Sequence, residues 1–242
     1  MRKIRASVAM AVYNGEQYIR EQIDSILEQL GPKDELVISY DKSTDATKEI
    51  IDDYEKNDHR VRVIENNHPG IQNNFNNAVM ACQGEYIFLS DQDDFWLDGK
   101  VDRVLSEFQK TGADLVVHDG YFTNDKLEPL GRTMFEIYGT SDSPVRNIVK
   151  CTYWGCCMAF RATMRKTVCP FPNRHKVGHD LWIGVLAGIH GKIARVNTCL
   201  IKHRIHGNNA TTSRRRLPTI IQHRLTLLSQ LVQRECSIHS IR

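Results

Sequence analysis

The chain has 242 residues, 41% hydrophobic and 25% charged, with a formal net charge of +3. That is enough for one sizeable core with a small appendage, and no window nears the roughly 18 uninterrupted apolar residues that span a bilayer. Seven cysteines at irregular spacing, with no Cys-x-x-Cys pair, signal neither a zinc site nor a disulfide framework and suit a reducing, cytoplasmic setting. The net charge hides an asymmetry: residues 202–242 carry eight Lys/Arg against one acid, Glu235, while the remainder holds 24 basic and 28 acidic residues. A mildly acidic body with a basic tail points to an anionic partner near the C-terminus.

The elements alternate in the first half. The basic start and short apolar run read as a first strand, Ser7–Val12, rather than a signal peptide. Gln17–Leu30 places Ile19, Ile23, Ile26, Leu27 and Leu30 on one helical face, stopped by Gly31-Pro32. Glu35–Ser39 is a second strand, and the Ser/Thr/Asp run from Ser43 caps a helix carrying Ile50, Ile51 and Tyr54. Val61–Ile64 is a third strand. The polar stretch Gly70–Asn77 leads to a helix ending near Gly84, Tyr86–Leu89 is a fourth strand, Val101–Phe108 is helical and Asp114–His118 is strand again. Such βαβ spacing predicts a largely parallel sheet covered on both faces, with ligands at the C-terminal strand ends.

The second half is less regular. Gly120–Ser143 reads as loops with a hairpin, Gly155–Phe160 as a strand, Asp180–Ile189 as a helix and Lys192–Arg204 as one or two strands. Leu217–Val232 sets Leu217, Ile221, Leu225, Leu228 and Val232 at helical spacing, with Ile220, Leu227 and Leu231 beside them.

Three strand ends carry polar residues: Tyr13-Asn14, Asp41 and the run Asp91-Gln92-Asp93-Asp94. Alternate residues of an extended segment face the same way, so Asp91 and Asp93 could share one hard cation, completed by water and phosphate. The bland alternative is a solvated turn in which Asp94 caps the next helix. Asp41 could accept hydrogen bonds from a base or ribose, and the Ser43–Thr47 run could equally be a helix cap alone.

The ordered motifs SVAMAVYNGEQYIREQIDSIL, SYDKSTDATKEII, FLSDQDDFW, GCCMAFR and HDLWIGVLAGIHGKI resemble a family 2 glycosyltransferase of the GT-A fold, most like the bacterial rhamnosyltransferase-like branch. The resemblance spans roughly Ser7 to Asn209. It implies a Rossmann-like α/β domain over residues 1–212, with a mostly parallel central sheet, and a basic C-terminal amphipathic helical segment over 213–242. It implies inverting transfer from a nucleotide-diphosphate sugar to an acceptor hydroxyl of a surface or capsular polysaccharide, assisted by Mn²⁺ or Mg²⁺. Val12, Tyr13, Asn14, Asp41, Asp91 and Gln92 would line the donor pocket. Asp93, with Asp91 and His206, would hold the metal; Arg204 would compensate phosphate charge; and Asp180 would be the general base. Trp154, Gly155 and His179 would lie on the acceptor side.

Each role has a plainer alternative. Asp180 could be a helix cap, His206 a loop histidine, Trp154 a core aromatic, and Cys156-Cys157 a packed pair beneath the site. Two positions depart from the family pattern, Tyr40 standing where a second acid is usual and Lys42 where glycine is. They leave open a degenerate nucleotide-sugar or glycan-binding module. A nucleotidyltransferase of similar architecture would carry a Gly-rich basic loop after the first strand, which Tyr13-Asn14-Gly15-Glu16 does not resemble. Arg214-Arg215-Arg216 and the helix after it could pack on the domain, pair two copies, or lie on an anionic inner membrane face near a lipid-linked glycan acceptor; nothing accompanies the charge to suggest nucleic acid. The sequon at Asn209 would stay unused in a cytosolic protein.

Overall fold

The computed structural model describes residues 4–172, 177–207 and 217–240. The first half forms as its periodicity predicts, with strands β1 (Ala6–Val12), β2 (Glu35–Tyr40), β3 (Val61–Glu65) and β4 (Tyr86–Ser90) separated by helices α1 (Ile19–Leu27), α2 (Thr47–Asn57) and α3 (Ile71–Ala81). The four strands pair in parallel in the order β3-β2-β1-β4. Every residue of β2 and β4 is buried, which is why these segments read as continuous apolar runs. The polar stretch ahead of Ala78 belongs to α3, since Gln72, Asn74 and Phe75 face inward together.

The second half adds β5 (Phe95–Trp96), α4 (Lys100–Thr111), β6 (Leu115–Thr123), β7 (Pro129–Thr133), α5 (Met134–Tyr138), α6 (Pro144–Val149), β8 (Met158–Arg161), α7 (Arg165–Val168), α8 (His179–His190), β9 (Ile193–Arg204) and α9 (Leu217–Ser240). The expected hairpin is β6–β7. Pairing here is mixed: β8 runs antiparallel between β4 and β6, β6 and β9 run parallel, and β5 lies antiparallel to β9. The expected strand at Gly155–Phe160 begins three residues late, because Gly155–Cys157 forms a 3₁₀ turn. Lys192–Arg204 is a single strand with register shifts at His118/Asp119 and Asp119/Tyr121 of its partner.

The two edges of the parallel half differ in how their polar groups are spent. At the N-terminal edge they pair internally: Asp34 accepts from Arg5 Nε and the Ala6 amide at 3.1 Å each, and Ser7 donates to Glu35 at 2.5 Å. At the C-terminal edge the loops after β1, β2 and β4 hydrogen-bond to each other instead.

α9 packs on the domain through Leu227 and Leu231, while Ile221, Leu225, Leu228 and Val232 stay exposed. The face read as the main apolar stripe is therefore the outer one. The division at 212/213, Arg214–Arg216 and the Asn209 sequon lie outside the described residues, as does the side chain of Leu217. Among the described residues no helix is long and apolar enough to cross a membrane.

Candidate active site

The loop after β1 is built by its neighbours. Gln92 clamps Tyr13 through its backbone, accepting from the amide at 2.8 Å and donating to the carbonyl at 2.9 Å. Asn14 has a left-handed backbone (φ 47°), its amide donates to Ser43 Oγ at 2.9 Å, and its Oδ1 accepts from the Thr44 amide at 2.9 Å. A Cβ on Gly15 would meet Gln92 Oε1 at 2.6 Å, so the clamp requires glycine there. Val12 is fully buried, whereas Tyr13 and Asn14 are exposed at this strand end. The Ser43–Thr47 run supports this loop, Gly15 N donating to Thr47 Oγ1 at 2.7 Å, rather than capping the helix as expected, since α2 has Ala46 at its N-cap and no side-chain cap.

Asp41, nearly buried after β2, accepts from Asn66 Nδ2 at 2.6 Å and from the Gly70 amide at 2.8 Å. Both its oxygens are thus oriented, one by each partner, and Gly70 supplies a φ of 120° that a side chain would oppose. Asn66 and Gly70 gave no sequence signal. Tyr40, the departure before Asp41, is buried and its hydroxyl accepts from the Ser43 amide at 2.9 Å. It holds the loop that an extra acid would have to solvate. Lys42 is exposed.

The acidic run separates into distinct roles. Asp93 Oδ2 lies 2.9 Å from His206 Nε2. Burial and the charge of Asp94 raise the Asp93 pKa, against the pull of His206. Burial, then the carboxylates of Asp94 and Asp93, push Asp91 up to about 8, and Asp180 adds to the same push. Asp94 is fully buried; its Oδ1 meets His203 Nδ1 at 2.7 Å and the Arg204 amide at 3.3 Å, and its Oδ2 has no partner. It braces the turn from below rather than capping a helix, since β5 follows it. His203 is held well above its ordinary pKa, the Asp94 carboxylate and Cys156 outweighing burial.

Arg204 is 2% exposed. Its Nε donates to the Asp93 carbonyl at 3.0 Å, Nη1 to the Asp125 carbonyl, and Nη2 to Glu21 at 2.5 Å, while its guanidinium lies 4.4 Å from the Tyr18 ring. The same ring is 5.0 Å from His206, and its hydroxyl donates to Asp125 Oδ1 at 3.2 Å. The structure thus engages Arg204 in pinning the Asp93 turn to α1 and to the β6–β7 hairpin. Glu21, Tyr18 and Asp125, distant in sequence, could not have been read as site residues.

Asp180 opens α8 and accepts from the Leu181 amide at 2.7 Å. A Cβ on Gly178 would meet its Oδ1 at 2.3 Å. His179 is turned away from solvent, its ring 4.0 Å from Phe75 and stacked 6.4 Å from Phe171, with neither nitrogen partnered. Burial lowers its pKa, so it is a neutral core side chain. Gly155 is the space for it, since a Cβ there would lie 2.6 Å from His179 Nε2. Trp154 is half-buried in a cluster with Phe122 at 5.1 Å, Tyr138 at 5.2 Å and His203 at 5.6 Å. A hydrogen bond to Cys157, burial and the charge of Asp94 hold the Cys156 thiol well above its ordinary pKa, which removes it as a nucleophile.

Asp93 pairs with His206, and these two with Asp91 offer the carboxylate and imidazole donors that a divalent cation takes. Burial and mutual repulsion raise the pKa values of Asp91 and Asp93, and buried Asp94 Oδ2 has no partner, so a bound cation would relieve repulsion among these carboxylates.

The glycosyl transferase family 2 model matches residues 7–168. The chain belongs to glycosyltransferase family 2. Among its relatives is the "putative teichuronic acid biosynthesis glycosyltransferase TuaG" of Bacillus subtilis, 28% identical over 220 residues that cover 86% of this chain and 82% of TuaG. Among the first curated relatives matched, the chain spans between 19% and 82% of their own lengths. The fold is that of S. aureus TarS in complex with UDP-GlcNAc, with a TM-score of 0.70 and 18% identity over 97% of this chain and 73% of that one. It is also that of the mannosyltransferase PcManGT of Pyrobaculum calidifontis in complex with GDP-Man and Mn²⁺, with a TM-score of 0.66 and 17% identity over 85% of this chain and 58% of that one. The GT-A architecture expected from the motifs is thereby established.

Proposed function

We propose that this glycosyltransferase carries out an inverting, Mn²⁺- or Mg²⁺-assisted transfer from a nucleotide-diphosphate sugar to an acceptor hydroxyl in surface polysaccharide synthesis. The observation that carries the reading is that the carboxylates of Asp93 and Asp180 both act electrostatically on Asp91, in a turn that Gln92 ties to the β1 loop. The names of TuaG and of the nucleotide-sugar complexes support the reaction class.

In this reading Asn14 and the oriented Asp41 receive the nucleoside, and Tyr13 offers an exposed ring for a base to stack on. Asp91, Asp93 and His206 hold the cation, which when bound neutralises charge growing on the diphosphate. Asp180, steadied by the Leu181 amide, takes the acceptor hydroxyl proton as that oxygen attacks C1 from the face opposite the leaving group. Trp154 and Gly155 border the acceptor side. The protein works at the cytoplasmic face of the membrane; the exposed stripe of α9 and the arginines before it support contact with an anionic surface or a second copy.

A calorimetric screen of UDP-, dTDP- and GDP-sugars with Mn²⁺ identifies the donor. With that donor, Asp180→Asn should bind within about twofold of the parent while transfer falls at least about 100-fold. Unchanged transfer by Asp180→Asn would remove it as base. Full activity in excess chelator would remove the metal from the reading.

A further inference from the structure

Beneath the strand-end crevice, four potential metal ligands from three chain segments come together: Asp91 and Asp94 after β4, Cys156 in the 3₁₀ turn, and His203 near the end of β9. One ligand atom from each lies within 4.8 Å of all the others. Cys156 Sγ is 3.9 Å from His203 Nδ1, which is 2.7 Å from Asp94 Oδ1. In a tetrahedral zinc site, bonds of about 2.0–2.3 Å set such atoms roughly 3.2–3.8 Å apart. Adjustment of side chains alone would therefore bring these four around one ion. Asp94 is fully buried and its Oδ2 has no partner, so an acceptor is already placed at this spot without a donor.

We propose that Asp91, Asp94, Cys156 and His203 form a second metal site, selective for Zn²⁺ and similar thiophilic ions and distinct from the hard-cation site of Asp93 and His206. The thiol sets the selectivity, because sulfur ligands favour zinc over Mg²⁺ or Mn²⁺. Binding releases the Cys156 proton, the His203 imidazolium proton and any proton on Asp91 to solvent. Two carboxylates, a thiolate and a neutral imidazole then face a dication, with the Lys100 ammonium close behind, donating to the Cys156 carbonyl at 2.8 Å. The formal charges cancel. Arg204 steadies Asp94 through its amide, and Trp154 and Phe122 pack against the His203 ring at 5.6 and 5.8 Å. Asp91 is shared between the two sites, so an ion in the lower one draws a ligand from the upper. This makes zinc an antagonist of Mn²⁺ binding. Binding at the lower site itself does not rest on the transferase reading; only that antagonism involves it.

The test is Co²⁺ titration of the full chain in a Cys236→Ser background, which removes the exposed thiol. One equivalent should give a thiolate-to-cobalt charge-transfer band. Cys156→Ser should abolish the band and weaken Zn²⁺ at least about 100-fold in competition with a chromophoric chelator, while Asp93→Asn keeps both. X-ray absorption at the zinc edge of the loaded parent protein should show one sulfur among nitrogen and oxygen ligands, and needs no variant in the liganding set. A band that survives Cys156→Ser, a band lost with Asp93→Asn, or a zinc shell without sulfur would each overturn the proposal.

Discussion

Asp91 keeps its proton up to about 8, burial being the first cause and the charges of Asp94 and Asp93 the next. A cation bound there must displace that proton, so Mn²⁺ affinity should rise about tenfold per pH unit below about 8 and level off above it. Stability follows from the same shift. The unfolded chain loses this proton near 3.8, whereas the folded metal-free protein retains it to about 8, so stability falls as pH rises between these values. Saturating Mn²⁺ or Asp91→Asn should remove this component. Because His118, held neutral by burial, titrates with the opposite sign, the informative quantity is the difference between parent and variant in urea unfolding at each pH. A parallel pair of pH profiles would show that Asp91 is ionised in the folded protein.

At the scale of elements, the parallel half was legible because each strand is a buried run bounded by turn residues and each helix shows one apolar face. β5 was not, since two residues carry no periodicity and Phe95-Trp96 exists as a strand only by pairing with Ile201 and Lys202. The same pairing carries Arg204 under the acidic turn. The family resemblance implied a phosphate contact for it, but no spacing could reveal that α1, the hairpin and the Asp93 carbonyl would surround it. Arg204→Lys keeps the charge and loses the fork, and should cost at least about 2 kcal/mol in the protein without metal or nucleotide. Thermal unfolding reads this directly. A residue that served only to bind donor phosphate would leave that melting temperature unchanged.

At the scale of the whole molecule, α9 tests how far periodicity reaches. Its sequence offers two apolar faces, and the more regular one, Ile221, Leu225, Leu228 and Val232, is exposed, while Leu227 and Leu231 are buried. Spacing alone could not choose between them, because the choice belongs to the surface that receives the helix. Polar contacts fix it: Arg234 donates to the Pro170 carbonyl and lies 5.9 Å from the Trp182 ring, and His190 lies 2.6 Å from Glu235. These contacts bring the C-terminal helix onto α8, the element that carries Asp180. Leu227→Ala should therefore cost about 2–4 kcal/mol in urea unfolding, whereas Leu225→Gln and Val232→Gln should each stay within about 0.5 kcal/mol. Equal losses on the two faces would mean that the outer stripe is itself covered in solution, and the unfolding midpoint would then depend on protein concentration if a second copy provides the cover.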